Sequence, residues 1–382
     1  MKITARKLSG EICDVQVDGH FIKKIKAHKE DILDLPWIAP GLVDIQVNGF
    51  GGIDFNRALE SDDAWHHATA QLYAHGCTGF LIALITNAEE SGRKLLTDLA
   101  GRIVLDPRNC LGFHMEGPWL NPDPGYRGAH RSEWMQKPSL RLLEEWWNIA
   151  GPLLKLITLA PEVDLRTSLE VIHAGLEKKI QFFLGHSSAT DRTLRAAIEA
   201  GAVGWTHLGN AVPATVPKFD NVIFHTLAQL GISASLIPDG FHLPPHVFRV
   251  LARTLGPSRL LLTTDAMAGA AAEKPGHYTL GEVEVEVGAD GSARLPAEGK
   301  GTLGRLAGST LTPFRGVFLA ERMAGIFLED AWKAFSTRPA TLLGLNHGLA
   351  EGNSADFCLL SPEKTPYLLA TYHRGKCVYE AP

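Results

Sequence analysis

Residues 154–185 read LKLITLAPEVDLRTSLEVIHAGLEKKIQFFLG. A largely apolar run, Leu154–Ala160, broken by Lys155 and Thr158, is followed by Leu165, Leu169, Ile172 and Leu176 at three- and four-residue spacing, and then by a second largely apolar run, Ile180–Gly185. A strand buried on both faces needs apolar residues without alternation, and the three/four spacing lays one helical stripe against a core. The segment therefore predicts a βαβ unit with the leucine stripe as the core face of its helix.

The same alternation recurs outward in both directions. Further candidate strands fall at Leu42–Val47, Thr78–Ile85, Cys110–Met115, Ala202–Thr206, Ile232–Ile237 and Arg259–Thr264. Ser61-Asp62-Asp63 can cap a helix that runs to Gly76, and Asp191 precedes one that stops at Gly201. Eight strand–helix alternations with no GxGxxG turn favour an α/β fold of the (β/α)8 TIM-like barrel type over an open doubly wound sheet. From Tyr278 to Leu303 the pattern switches to alternating residues (Val283, Val285, Val287, Leu295) around Asp290-Gly291, which predicts a β-hairpin insertion near 276–304. Helical spacing returns at Phe314–Ile326 and Leu328–Phe335.

The two ends differ from this body. Ile12, Val15, Val17, Phe21, Ile22 and Ile25 surround Asp18-Gly19, and Ala355–Leu360 is followed by Thr371–Tyr379 around Arg374-Gly375. Each end is too small to bury a core, so together they predict a small β-sandwich built from both termini. The expected organisation is 1–40 and 345–382 as the two parts of that sandwich, with 41–344 as the barrel.

Composition narrows the function classes. The chain has 382 residues, 45% hydrophobic and 21% charged, which is too apolar for disorder. Its 42 acidic and 37 basic residues give −5 and offer no broad basic surface for nucleic acid. No apolar run approaches a membrane span, and residues 1–6 lack a signal core. Five scattered cysteines without a CxxC pair imply reduced thiols, so a cytoplasmic protein is expected.

Barrel enzymes carry their chemistry at the C-terminal ends of the strands. Those positions here are Gln46-Val47-Asn48, His114-Met115-Glu116, Pro161-Glu162, Gly185-His186-Ser187, Thr206-His207, Asp239-Gly240-Phe241-His242 and Thr264-Asp265. Glu116, His186 and His207 would converge from the third, fifth and sixth strands as one carboxylate and two imidazoles. That set suits zinc or a similar divalent ion, Fe2+ and Co2+ included, with one position left for water. Such an ion lowers the pKa of bound water from about 15.7 to about 7. Asp265, across the mouth, could accept the proton and return it to a leaving group.

The ordered motifs Pro40–Gly49, His114-Met115-Glu116-Gly117-Pro118, Leu159-Ala160-Pro161-Glu162, Gly185–Thr190, Thr206–Ala211, Thr264-Asp265-Ala266, Leu306-Ala307-Gly308-Ser309 and Gly352–Phe357 span almost the whole chain. Together they resemble the N-acetylglucosamine-6-phosphate deacetylase family of the amidohydrolase superfamily. The resemblance implies a metal-dependent hydrolase with Glu116, His186 and His207 as ligands and Asp265 as the acid/base. Where the superfamily commonly carries His-x-His, this chain has Gln46 and Asn48, which implies one divalent metal per subunit. It further implies that Gly128-Ala129-His130 meets the sugar and the acetyl carbonyl. Asn210, Ala211, His242, Leu306, Ala307 and Gly308 would complete the substrate site, in a homodimer.

The chain departs from the family where an arginine grips the 6-phosphate: Lys218 stands at that position, and lysine lacks the bidentate fork. Two enzymatic readings stay open. One is deacetylation of an N-acetylated amino sugar, foremost N-acetylglucosamine 6-phosphate. The other is hydrolysis of a non-phosphorylated N-acetylhexosamine or another N-acyl compound. A non-catalytic barrel would be expected to have lost ligands or Asp265, and none is missing.

Overall fold

In the computed structural model, which describes residues 1–29, 32–297 and 304–382, all eight apolar runs are strands of one parallel sheet. They are β1 (Leu42–Val47), β2 (Cys77–Ile85), β3 (Cys110–Glu116), β4 (Leu154–Leu159), β5 (Gln181–Leu184), β6 (Gly204–Trp205), β7 (Ser233–Leu236) and β8 (Leu260–Leu262). Each pairs with its sequence neighbour, the order of a (β/α)8 barrel. The helix after β1 spans Asp62–Ala74 with Ser61 as its cap, as the sequence predicts. The helix Asp191–Ala200 starts at Asp191 itself, with Thr190 as the cap and Gly201 ending it in the left-handed conformation.

The helix Leu165–Glu177 departs from the expected stripe. It buries Ser168, Val171, Ile172 and Gly175, while Leu176 is 37% exposed. Gly175 rotates the contact face, because a Cβ there would stand 2.4 Å from the Phe182 ring of β5. Gly175 therefore faces the strand; of the expected stripe Ile172 is buried and Leu169 packs against the core, while Leu176 leans on Gly201 of the adjoining helix end.

β1 and β8 share no ladder among the described residues. An isolated bridge joins Val47 to Ala266, and the Asn48 amide donates to the Ala266 carbonyl at 2.7 Å. The Gly49 amide donates to the same carbonyl at 3.1 Å, and one buried side chain adds to the seam. Asp44 accepts from the hydroxyls of Thr263 (2.6 Å) and Thr264 (2.5 Å), and from the Thr264 amide at 3.2 Å. Burial pushes its carboxyl up to about 6, against the pull of these donors.

Strands from both ends form one seven-stranded sheet in which Trp37–Pro40 lies between Lys2–Lys7 and Phe357–Leu360. Ala5, Cys13, Val15, Val17, Ile22, Ile38, Ala355 and Phe357 give it an apolar cluster of its own. The expected hairpin insertion is a three-stranded antiparallel sheet, Gly276–Leu280, Val283–Val287 and Ala293–Arg294, with a first turn at Gly281 besides the one around Asp290-Gly291. Its expected far end, including Leu303, lies outside the described residues. No helix among the described residues is long and apolar enough to cross a membrane.

Two stability measurements test this account. Asp44→Ala strips the seam of its acceptor and leaves two buried hydroxyls unpaired, so urea unfolding should register a loss of about 3 kcal/mol. His75, partly buried with its ring 5.7 Å from that of Phe50, is pushed down by desolvation to about 4. An unfolded histidine titrates near 6.5, so His75 contributes stability that is whole above that pH and lost as the pH falls toward 4. His75→Phe should flatten the fall in melting temperature across that window.

Candidate active site

The C-terminal ends of the strands open into a cavity of 390 Å³, within the range of about 300–1,000 Å³ common for small-molecule sites. Glu116, His186 and His207 meet at its floor. His207 Nε2 lies 2.8 Å and His186 Nε2 3.3 Å from Glu116 Oε1, and the two ring nitrogens are 3.2 Å apart. The His186 Nδ1–H donates to the Tyr126 carbonyl at 2.9 Å, which leaves the Nε2 lone pair facing Glu116 and His207. A carboxylate and two imidazoles drawn together in this way fit a divalent cation. Burial works to raise the Glu116 carboxyl, but the His186 and His207 rings outweigh it and hold the group well below its ordinary value.

Backbone strain is concentrated at this floor. Nine described non-glycine residues have positive φ, and four of them are His186 (49°), His207 (34°), Ala211 (50°) and Asp265 (50°). Such conformations persist only where the surroundings dictate them. Glu162, at the exit of β4, supplies part of that constraint: it accepts from the Ser187 hydroxyl at 2.7 Å and the Ser188 amide at 2.6 Å, so it holds the loop after His186.

His130 also faces Glu116, with Nε2 3.9 Å from Oε2, and Glu116, His130 and His186 each place a donor atom within 4.8 Å of the others. The closer set is the one with His207, and the His130 tautomer separates the two. Its Nδ1 accepts from the Thr86 amide at 3.4 Å and lies 2.9 Å from the Thr86 hydroxyl. An amide N–H can only donate, so the proton is on Nε2, and His130 presents an N–H to the cavity rather than a lone pair. Burial, with the nearby His186, lowers this ring to about 3 and keeps it neutral.

Asp265 stands opposite, with its Oδ1 accepting from Asn48 Nδ2 at 2.7 Å. Burial first, and then the Glu116 carboxylate, push it up to about 7 against the pull of His207, His242 and Asn48. Gln46 Nε2 likewise donates to Glu116 at 3.0 Å, so both amides at the His-x-His positions turn N–H groups to carboxylates. Two buried polar atoms here lack a hydrogen-bond partner, His207 Nδ1 and Asn48 Oδ1. His242 Nδ1 donates to Asp239 at 2.7 Å; burial opposes its charge, but Asp239 leaves the ring above its ordinary value.

The other expected contacts divide. Ala129, Asn210, Ala211, His242, Leu306, Ala307 and Gly308 line the cavity with the residues above. The 306–309 stretch is pinned beside β8, since the Ser309 amide donates to the Asp265 carbonyl at 2.8 Å. Gly128 has φ of 59°, and a Cβ there would meet His186 Cε1 at 2.9 Å. Lys218 is not brought to the cavity. Beyond Ala214 the segment runs out to solvent, and the Lys218 ammonium lies 5.1 Å above the Phe219 ring. The lysine or arginine on the wall is Arg305, which the sequence reading passed over although it precedes Leu306 directly. Asn48, expected at a strand exit only as a replaced ligand, holds Asp265, and Thr86, which follows Ile85 directly at another strand exit, has no place in the sequence reading.

The profile of the amidohydrolase family matches residues 37–378, and the chain belongs to that family. Among curated proteins it is similar to the N-acetylglucosamine-6-phosphate deacetylase of Rattus norvegicus, 34% identical over 90% of this chain and 84% of that one. It is 30% identical to the enzyme of the same name from Vibrio furnissii, over 90% and 83% of the two chains. Among solved structures, a variant of N-acetyl-D-glucosamine-6-phosphate deacetylase from Mycobacterium smegmatis, in complex with N-acetyl-D-glucosamine-6-phosphate, superposes with a TM-score of 0.88. It shares 30% identity and covers 99% of both chains.

The tautomers make a prediction about metal content. His186→Ala removes a lone pair from the cluster and should strip the purified protein of bound divalent metal. His130→Ala removes only an N–H donor and should leave the metal-to-protein ratio near that of the unmodified chain, as read by elemental analysis.

Proposed function

We propose that the protein hydrolyses the acetamide of an N-acetylated amino sugar, foremost N-acetylglucosamine 6-phosphate, to the free amino sugar and acetate. The observation that carries this reading is the opposition of two groups across one floor: the Glu116–His186–His207 cluster on one side, and Asp265, held by Asn48, on the other. Similarity to curated deacetylases over most of the chain supports the substrate class.

Glu116, His186 and His207 would hold one divalent metal ion, with Zn2+ the first choice for a carboxylate and two imidazoles and Fe2+ or Co2+ compatible. When bound there, such an ion supplies Lewis acidity toward water and the acetamide carbonyl. Asp265 takes a proton from the attacking water. Its carboxyl, shifted to about 7, suits both directions of transfer near neutral pH. The His130 Nε2–H donates to the carbonyl oxygen as negative charge gathers on it, and being neutral it does so without giving up its proton. When the C–N bond breaks, Asp265 returns the proton to the departing amine. Water is consumed, and acetate and amine leave.

Acetate release from N-acetylglucosamine 6-phosphate by the metal-loaded protein tests the reading, and its absence would refute it. Asp265→Asn keeps the hydrogen-bonding shape but cannot take the proton, so kcat should fall by about 10²–10⁴-fold with metal content retained. Near-normal turnover by that variant would remove Asp265 from the mechanism.

A further inference from the structure

The floor of the cavity is acidic, with Glu116 and Asp265 both buried there, and the wall is largely uncharged: Pro124, Gly125, Ala129, Val212, Pro213 and Ala214 carry no ionisable group. A substrate with a phosphoryl group cannot place that group beside two carboxylates. It needs a cation at the far end of the cavity, where the charge stays partly solvated. Lys218, at the position expected to supply it, is exposed and folded over Phe219. Arg305 is the one lysine or arginine among the described residues that line the cavity.

Arg305 is also well anchored for such a task. Its carbonyl accepts from the Leu295 amide at 2.8 Å, and Leu306 bridges to Arg294, so its backbone is part of the inserted sheet. Its Nη1 donates to the Gly128 carbonyl at 3.2 Å, across the mouth from that sheet. The side chain is exposed while the acids are buried, which places the positive charge at the rim. A guanidinium carries five N–H donors in a planar fork whose geometry matches the oxygens of a phosphoryl group.

We propose that Arg305, and not Lys218, is the residue that recognises the phosphoryl group of the substrate. The proposal rests on the reading of this cavity as an amino-sugar deacetylase site. In place of a cation from the segment after Asn210, the chain uses one delivered by the inserted β-sheet. Arg305 then acts on selectivity, and the bond-breaking groups at the floor are untouched by it.

The test compares kcat/KM for N-acetylglucosamine 6-phosphate with that for N-acetylglucosamine, in the metal-loaded protein and in Arg305→Ala, Arg305→Lys and Lys218→Ala. Arg305→Ala should lower the ratio about 30-fold or more, mainly through KM for the phosphorylated sugar, and Arg305→Lys should recover part of it. Lys218→Ala should leave the ratio within about threefold. An unchanged ratio in Arg305→Ala, or a collapse in Lys218→Ala, overturns the proposal. Calorimetric titration with glucosamine 6-phosphate and glucosamine separates it from the functional reading. Arg305-dependent preference for the phosphorylated amine without acetate release would sink the deacetylase activity and leave Arg305 as the phosphoryl contact. Acetate release with no preference for phosphate would do the reverse.

Discussion

Asp44 sits in the closing seam of the barrel with its carboxylate held by hydroxyl and amide donors rather than by a cation. Where the other seven strand pairs are joined by backbone ladders, this side chain does much of the work of joining the first strand to the last. Thr264, one of the groups it holds, immediately precedes Asp265. The lone backbone bridge above it, Val47 to Ala266, lies beside both Asn48 and Asp265. Closing the barrel and aiming the carboxylate of Asp265 are thus the same set of contacts, and a fault in one is a fault in the other.

The floor above that seam is a problem in like charges. Glu116 and Asp265 share one buried space, and their environments push them apart: Glu116 has two imidazoles and an amide within hydrogen-bond reach, while Asp265 has one amide donor and feels His207 and His242 only through space. Two carboxylates in unlike surroundings can divide the roles of ligand and proton carrier. The left-handed backbone at His186, His207 and Asp265 is the conformational cost of bringing three strand exits to one point. Glu162 illustrates the support this requires, because it contributes no atom to the cavity lining and instead holds the serines behind His186.

Much of this is legible in the chain because strands buried on both faces leave short apolar runs such as Thr78–Ile85, and eight of them alternate with helical spacing. Polar residues at the ends of such runs then stand out, as Glu116, His186, His207 and Asp265 do. What escaped the reading depended on distances that sequence order does not carry. The leucine stripe of the helix 165–177 was read by period alone, while the close approach of Gly175 to Phe182 decided which face turned inward. Lys218 was placed by counting along the chain, yet the segment leaves the cavity after Ala214. Arg305 belongs to an insertion, and nothing local says that its sheet leans over Gly128. The Tyr126 carbonyl and the Thr86 amide, which set the tautomers of His186 and His130, are backbone groups and have no signature in residue identity.

The sheet made from both ends has a consequence for how the chain comes into being. Trp37–Pro40 waits between Lys2–Lys7 and Phe357–Leu360, so one of its edges stays open on the ribosome until the whole barrel and then Phe357–Leu360 have been translated. At the sheet's outer edge Phe21–Ala27, paired antiparallel with Ile12–Asp18, carries Lys23, Lys24 and Lys26, charges that discourage a second nascent copy from pairing with it. A circular permutant with its old ends joined and new ones cut in a barrel loop would emit all seven strands as one contiguous stretch, and would have no such interval to survive.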